Sequence, residues 1–92
     1  MQSTIYTYTD AATAAVESLE RVLTAAARTG RRLILDLDRL PVLDNAALRG
    51  LIRMLRRVRE AGGTLVLSVT RPEHRSVLRL TALDRVFEVA AC

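Results

Sequence analysis

The chain has 92 residues, half of them hydrophobic but only three aromatic, so its core must be built from Leu, Val, Ile and Ala. The net charge is +4 and all 14 basic residues are arginines, which excludes Schiff-base chemistry, a lysine general base and the lysine of a phosphate-binding loop. No apolar run approaches the roughly 20 residues of a membrane span. The N-terminus also lacks a signal-peptide pattern, so we predict one soluble, cytoplasmic domain over residues 1–92, with no membrane insertion.

The first half of the chain alternates strand-like and helix-like patterns. Residues 3–9 (STIYTYT) mix β-branched and aromatic side chains and predict a strand. Apolar residues then recur at helical spacing, which predicts a helix that Asp10 caps and Gly30 ends. The continuous aliphatic run of residues 32–37 predicts a buried strand.

The second half continues the alternation. Residues 46–61 are predicted to form a helix that a pair of glycines closes, and its inward stripe is Leu48, Leu51, Ile52, Leu55 and Val58. A second buried strand over residues 64–70, a helix with Pro72 in its first turn and a last strand over residues 85–89 follow. This β-α-β-α-β-α-β order favours right-handed crossovers and a largely parallel sheet.

Residues that could carry catalysis are few. The single histidine, His74, lies among charged residues and is predicted to be solvated, and no histidines or cysteines have metal-ligand spacing. Asp36 and Asp38 end a central strand, where they are predicted to cap the loop; a phosphoacceptor role of the receiver-domain type would also need a lysine. Cys92 is predicted to be an exposed terminal thiol, with a disulfide-linked dimer as the alternative.

The second predicted helix carries a basic outer face, formed by Arg49, Arg53, Arg56 and Arg57. Glu60 is expected to pair with Arg56 or Arg57 at helical spacing. Such a face is usually only solvated. If it binds a partner, we expect an acidic protein surface rather than nucleic acid, because no aromatic side chains that stack on bases are interleaved with the arginines.

An ordered set of motifs resembles a known family. The segments "LILDL", "VLDNAAL", "REAGGTLVL" and "LRLTALDRVFEV" follow one another here. STAS domains, the family of bacterial anti-sigma factor antagonists, show an LDL strand, D-S-S-G-L at a helix start, GG before LVL, and L-x-L-T-G-L-D-x-x-F in the same order. The segment "TDAATAAVESL" is similar to the family's entry to its first helix, with Asp10 matching the family's aspartate. The resemblance covers nearly the whole chain.

The resemblance implies an α/β fold in which a small mixed sheet of four to five strands has helices packed mainly on one side. The family's N-terminus commonly forms a two-stranded hairpin. This chain has room for one clear strand before Asp10, so we expect the hairpin to be shortened. The sheet edge would then be less covered, or paired by another copy in a homodimer.

The resemblance also implies a docking site. In the family a kinase partner phosphorylates the second serine of D-S-S-G, and the added charge breaks the partner contact. That serine corresponds to Ala46, which has no nucleophilic oxygen, so the phosphorylation site is lost. The predicted partner-binding residues are Asp10, Asp44, Asn45, Ala46, Ala47, Arg49 and Arg53, and the resemblance implies no cofactor and no metal.

Two functions fit this resemblance. The first is a non-enzymatic regulator of transcription that docks an anti-sigma factor of kinase-like fold through the loop and helix start around Asp44. The alternative is a STAS subunit of a lipid-transport ABC complex that binds the transporter ATPase. The loop of such subunits resembles D-T-A-G-L and shares the alanine at the switch position.

Overall fold

The structure is a computed structural model that describes residues 3–90. Met1, Gln2, Ala91 and Cys92 lie outside these described residues, and with them the predicted role of Cys92. The elements in chain order are β1 (Ser3–Thr7), α1 (Thr13–Ala27), β2 (Arg32–Asp36), α2 (Asn45–Glu60), β3 (Thr64–Ser68), α3 (Pro72–Leu80), a 3₁₀ turn (Leu83–Arg85) and β4 (Glu88–Ala90).

The four strands form one sheet in the order β1-β2-β3-β4. The predicted α/β fold is confirmed, with four strands as expected. Every described strand pair is parallel, so the mixed sheet that the resemblance implied does not occur within residues 3–90. The reason is that a single strand precedes α1 in this range, which leaves out the antiparallel strand of a hairpin.

The two faces of the sheet differ in their cover. Right-handed crossovers between successive strands place the connecting helices on one face. There the central strands contribute Leu33, Leu35, Leu65 and Leu67 to a core that α1 and α2 complete. The helices therefore pack on a single side of the sheet, as expected, and α1 and α2 also pack against each other.

The opposite face of the sheet carries the cross-strand row Ile5, Ile34 and Val66. Ile5 is 66 % exposed, whereas Val66 is almost fully buried. Arg32 on β2 and Glu88 on β4 form an ion pair of 2.8 Å on this face. The pair passes over β3 between them and helps to shield Val66 from water.

Several element boundaries differ from the sequence prediction. Strand β1 ends at Thr7 rather than Thr9, and Tyr8, which follows it, is 1 % exposed. The last strand is Glu88–Ala90 rather than 85–89, because the 3₁₀ turn occupies the chain up to Arg85. In α2 the predicted inward position of Ile52 is wrong: Ile52 is exposed, and Met54 is buried instead.

Candidate docking corner at the start of the second helix

The first turn of α2 and the residue before it form the docking corner, which we define as Asp44, Asn45, Ala46 and Ala47. Asp44 is the N-cap, and its Oδ1 accepts a hydrogen bond of 2.9 Å from the backbone N–H of Ala47. This bond satisfies one of the N–H groups that a helix start leaves free. The predicted capping role of Asp44 is confirmed.

Apart from the Asp44 carboxylate, the corner presents small, uncharged side chains. Asn45 and Ala46 are exposed, whereas Ala47 is completely buried. The side chain of Ala47 is therefore not available to a partner, contrary to the expectation that it contributes a contact. Its carbonyl oxygen instead accepts a hydrogen bond of 3.0 Å from the Tyr8 hydroxyl.

Tyr8 supports the corner from below, a role that the sequence did not reveal. Burial, and to a lesser extent the charges of Asp44 and Asp10, raise the pKa of Tyr8 to about 12. Gly50 lies against this hydroxyl, and a Cβ on Gly50 would collide with it and would lie 3.0 Å from Val16 Cγ2. Only glycine therefore lets α2 approach Tyr8 and α1 this closely.

The loop before the corner, residues 37–44, is fixed by the loop that follows β3. Asp38 Oδ1 accepts the backbone N–H of Thr70 at 2.8 Å, and Asp38 Oδ2 accepts the Thr70 hydroxyl at 2.6 Å. Asp38 Oδ1 also accepts the backbone N–H of Arg71 at 3.1 Å. Desolvation alone would raise the pKa of Asp38, but these hydrogen bonds outweigh it and lower the pKa.

A second clamp holds the middle of the same loop. Arg71 Nη1 donates to the carbonyl oxygen of Leu40 at 2.8 Å, and His74 Nε2 lies 2.8 Å from the same oxygen. His74 is 2 % exposed, so the expectation of a solvated histidine is wrong. The polar neighbours of His74 in the sequence point outward, while its own side chain turns toward the loop and finds a hydrogen-bond partner there.

The loop carries one exposed apolar side chain beside the corner. Leu40 and Leu43 are buried and anchor the loop to the core, while Val42 between them is 59 % exposed. The anchors fix the position of Val42 without covering it. Val42 was not singled out from the sequence, because a valine in a loop gives no signal of its own.

Asp10 does not play the capping role that its position suggested. Helix α1 begins at Thr13 with Ala12 as N-cap, and it has no side-chain cap. Asp10 Oδ1 accepts the backbone N–H of Ala12 at 2.9 Å and so closes a turn ahead of the helix. Asp10 itself is exposed. The predicted cap is therefore wrong by two residues, because the local turn competes with the helix for the carboxylate.

The basic face of α2 is partly committed to the fold. Glu20 on α1 is 6 % exposed and lies 2.6 Å from Arg53 Nε and 2.7 Å from Arg57 Nε. The contact with Arg57 is a hydrogen bond, and the contact with Arg53 is an ion pair without hydrogen-bond alignment. Arg57 also lies 3.8 Å from Glu60, as predicted. These arginines join α2 to α1, so the expectation of a purely solvated face is wrong for Arg53 and Arg57.

Two shallow grooves connect the remaining predicted residues. One, of about 560 Å³, is lined by Arg49, Ile52, Arg53, Arg56, Arg57 and Glu60. The other, of about 270 Å³, is lined by Ala11, Thr13, Val16, Ala46, Arg49, Gly50 and Arg53. Ala46, Arg49 and Arg53 thus lie together at the junction of α1 and α2, as a shared docking surface requires.

The described residues contain no group of three or more His, Cys, Asp or Glu side chains that could hold a metal ion. Among residues 3–90, no helix is long and apolar enough to cross a bilayer.

A parallel sheet with helices on one face and a capped, exposed helix start is the arrangement expected of a STAS domain. The sequence model of the STAS domain matches residues 9–91. The chain belongs to this family.

Three relatives illustrate the similarity. A Bordetella bronchiseptica protein named as an anti-sigma factor antagonist, BtrV, is 36 % identical over 75 residues, which span 80 % of this chain and 65 % of that protein. The crystal structure of a Thermotoga maritima protein described as an anti-sigma factor antagonist matches with a TM-score of 0.70 at 17 % identity, covering 98 % of this chain and 79 % of the other. A STAS domain protein from Planctomyces limnophilus matches with a TM-score of 0.71 at 22 % identity, over 99 % and 84 %. The structures establish the fold, and this chain spans slightly less than two thirds of BtrV.

Proposed function

We propose that this chain is a non-enzymatic binding module that acts as an anti-sigma factor antagonist and docks an anti-sigma factor through the docking corner. The observation that carries the proposal is a capped helix start whose exposed residues, Asn45 and Ala46, directly follow a loop that is clamped from the other side. A surface that is fixed before binding loses little conformational entropy when a partner arrives. The name of the Bordetella relative supports this class of partner.

The chemistry of the surface indicates what the partner must offer. Val42 projects beside the corner and requires an apolar contact. Arg49 and Arg56 lie on the neighbouring groove, and no described ion pair engages either of them. Acidic side chains on the partner would therefore meet free guanidinium groups. The kinase-like fold that the family resemblance implied for the anti-sigma factor belongs to this proposal.

Because Ala46 has no hydroxyl, phosphorylation at this position cannot release a bound partner. Ala46 is exposed, and the family resemblance assigns it to the position of the phosphoacceptor serine. The proposed complex is therefore governed by the amounts of the two proteins and not by phosphorylation at this position. Incubation with the partner and ATP should leave the wild-type corner unmodified. The variant Ala46→Ser should acquire phosphate if the partner is a kinase of the family type.

The proposal is tested first by capture. The tagged chain, incubated with lysate of its native cells, should retain an anti-sigma factor that mass spectrometry identifies. Recovery of a transporter ATPase would instead support the lipid-transport alternative, which the names of the relatives above do not favour.

The second test places a negative charge on the corner. Ala46→Asp adds a carboxylate near a helix N-terminus, where the helix dipole tolerates it, so the fold should survive. Binding to the captured anti-sigma factor, measured by isothermal titration calorimetry, should weaken at least about tenfold, as expected for a charge buried in an interface without a partner. The control is Ala25→Asp, at an exposed alanine in the last turn of α1, remote from the corner. Because a negative charge there opposes the helix dipole, circular dichroism should first show that both variants are folded. Equal affinity of the two variants would contradict the proposed docking site.

A further inference from the structure

Strand β1 forms one edge of the sheet, and no described strand pairs with its outer side. The backbone N–H of Tyr8 donates to Asp36 on β2 at 3.0 Å. Because backbone groups alternate in direction along a strand, those of Tyr6 and Thr4 also point toward β2. The N–H and C=O groups of Ser3, Ile5 and Thr7 therefore point away from the sheet, and no strand within residues 3–90 pairs with this row of donors and acceptors.

This edge lacks the usual protection against strand pairing. Natural edge strands are blunted by charged side chains, proline, bulges or very short length. Strand β1 has the sequence STIYT, with no charge and no proline, and pairs regularly with β2 over all five residues. The other edge strand, β4, has only three residues and begins with the charged Glu88. The contrast identifies β1 as the edge that is open to another strand.

A groove runs beside the open edge. Its volume is about 330 Å³, and its lining includes Ala15, Leu19 and Val22 of α1. Val22 is 49 % exposed there, and Ile5 is 66 % exposed on the opposite face of the sheet. A strand added to β1 would place alternate side chains toward α1 and toward the open face. Both sides of the edge thus offer apolar contacts.

We infer that the occupant of this edge is β1 of a second copy of the chain, paired antiparallel about a two-fold axis at Ile5. Ile5 then faces the second copy's Ile5, and Ser3 faces the second copy's Thr7. Each of these pairs can exchange two main-chain hydrogen bonds, because all three residues point outward. The result is one continuous sheet that extends across both copies.

Side chains on both faces fit this pairing. Thr4 lies opposite the second copy's Tyr6 on the helix-facing side, which brings that half-buried ring toward the groove beside Val22. On the open face the two Ile5 side chains lie directly opposite each other, an arrangement that stabilises antiparallel strands. The edge is therefore self-complementary, as a two-fold interface requires.

If two copies of the chain associate, charge favours contact through β1 over contact through the arginine-rich face of α2. A net charge of +4 opposes self-association in general. Pairing through β1 buries no charged side chain of the strand, whereas the arginine-rich face of α2 would repel its own copy. The docking corner lies on α2, beyond α1 from this edge, so the dimer leaves it accessible.

The interface is small. Stable complexes bury about 1,200–2,000 Å², and we expect a contact made by a five-residue strand and one groove to bury less than this. We therefore expect a weak, reversible dimer. Sedimentation velocity from about 1 to 500 µM should show a concentration-dependent shift from monomer to dimer, the range in which small interfaces associate.

The matched variants are Ile5→Lys and Leu80→Lys. Each places a lysine at an exposed apolar position, with Ile5 on the edge and Leu80, 83 % exposed, on α3. Ile5→Lys should remain monomeric over the whole range, with an unchanged circular dichroism spectrum, while Leu80→Lys should dimerise as the wild type does. A monomeric wild type, or equal dimerisation of both variants, would overturn the inference.

A cross-link tests the register directly. Opposite residues of a hydrogen-bonded antiparallel pair lie about 5.5 Å apart at Cα, within disulfide range. In a Cys92→Ser background, Ile5→Cys should form a disulfide-linked dimer under mild oxidation, and Leu80→Cys should not. A dimer that cross-links no better through position 5 than through position 80 would show that another surface carries the association.

Discussion

Two loops leave the same end of the sheet, and they are held very differently. The loop after β2, residues 37–44, is held by hydrogen bonds from a distant segment. Thr70 and Arg71, which precede α3, and His74 in its first turn bond to Asp38 and Leu40. Tyr8 directly follows β1 and is held by its bond to Ala47, but the loop beyond it, residues 9–12, has a local, exposed hydrogen bond between Asp10 and Ala12. The comparison teaches that the chain rigidifies the loop that ends at the docking corner by contacts from a distant segment, and leaves its neighbour to local turn chemistry.

Among the substitutions that test this comparison, His74→Ala should have the largest effect on the free energy of unfolding. His74→Ala takes a buried ring and a hydrogen bond away from the Leu40 carbonyl. The loss of packing and of the bond should lower the free energy of unfolding by about 2–4 kcal/mol, measured by urea denaturation. Arg75→Ala, an exposed neighbour on α3, should change it by less than about 0.5 kcal/mol. Similar values for the two variants would mean that His74 does not hold the loop.

Replacement of Asp38 should have the next largest effect. Asp38→Ala leaves the N–H groups of Thr70 and Arg71 without their acceptor, at a cost of about 2 kcal/mol in unfolding free energy. It should also weaken partner binding, because the loop leads into the docking corner. The sequence alone suggests a minor role for Asp38. A change in unfolding free energy smaller than that of Asp44→Ala would therefore favour the sequence-based interpretation over the one drawn from the structure.

The charge of Asp38 adds a pH dependence. Its pKa is lowered in the folded protein, so its contribution to stability is present above the ordinary carboxyl pKa and is lost as the pH falls through the folded value. The difference in unfolding free energy between wild type and Asp38→Asn should therefore shrink from neutral pH toward about pH 3, near and below the ordinary aspartate pKa. A difference that stays constant over this range would show that the carboxylate charge is not what stabilises the loop.

Asp44→Ala should have an intermediate effect on stability and a larger one on binding. Loss of the N-cap bond to Ala47 should lower the unfolding free energy by about 0.5–2 kcal/mol. Because the carboxylate borders the proposed docking surface, the partner complex should weaken by more than this. Thermal melting and calorimetric titration separate the two quantities. Intact binding would reduce the residue to a helix cap.

The smallest effect is expected for Asp10. Asp10→Ala removes one exposed local hydrogen bond, so the unfolding free energy should change by less than about 0.5 kcal/mol. A loss as large as that of Asp44→Ala would remove the contrast between the two helix starts. A strong loss of binding with unchanged stability would instead extend the docking surface to the start of α1.

The sequence predicts the elements of this fold because their signals are local. Apolar periodicity indicates all four strands and three helices, and the spacing around Asp44 indicates its cap. The errors arise where a distant segment decides. The sequence favours Asp10 and Asp44 equally as helix N-caps, and only the path of the backbone shows that Asp44 is an N-cap and Asp10 is not.

The buried polar groups escape sequence reasoning for the same reason. From the sequence, Glu20 is indistinguishable from a surface residue, whereas the structure places Arg53 and Arg57 beside it. His74 reads as solvated until the Leu40 carbonyl is placed against it. This also changes the design of a charge-reversal experiment. Arg53→Glu would disrupt the link between α1 and α2, so Arg49→Glu with Arg56→Glu tests the basic face more cleanly.

The strand order has a consequence for how the chain folds. Because the sheet runs β1-β2-β3-β4, each strand pairs only with strands adjacent to it along the chain. The register partners Ser3 and Arg32, Arg32 and Thr64, and Val66 and Glu88 are therefore separated by similar, moderate stretches of chain. Loop-closure entropy is then spread evenly, and contact order stays moderate for an α/β protein. A sheet of this kind can grow from any neighbouring pair of strands, without waiting for the two chain termini to meet.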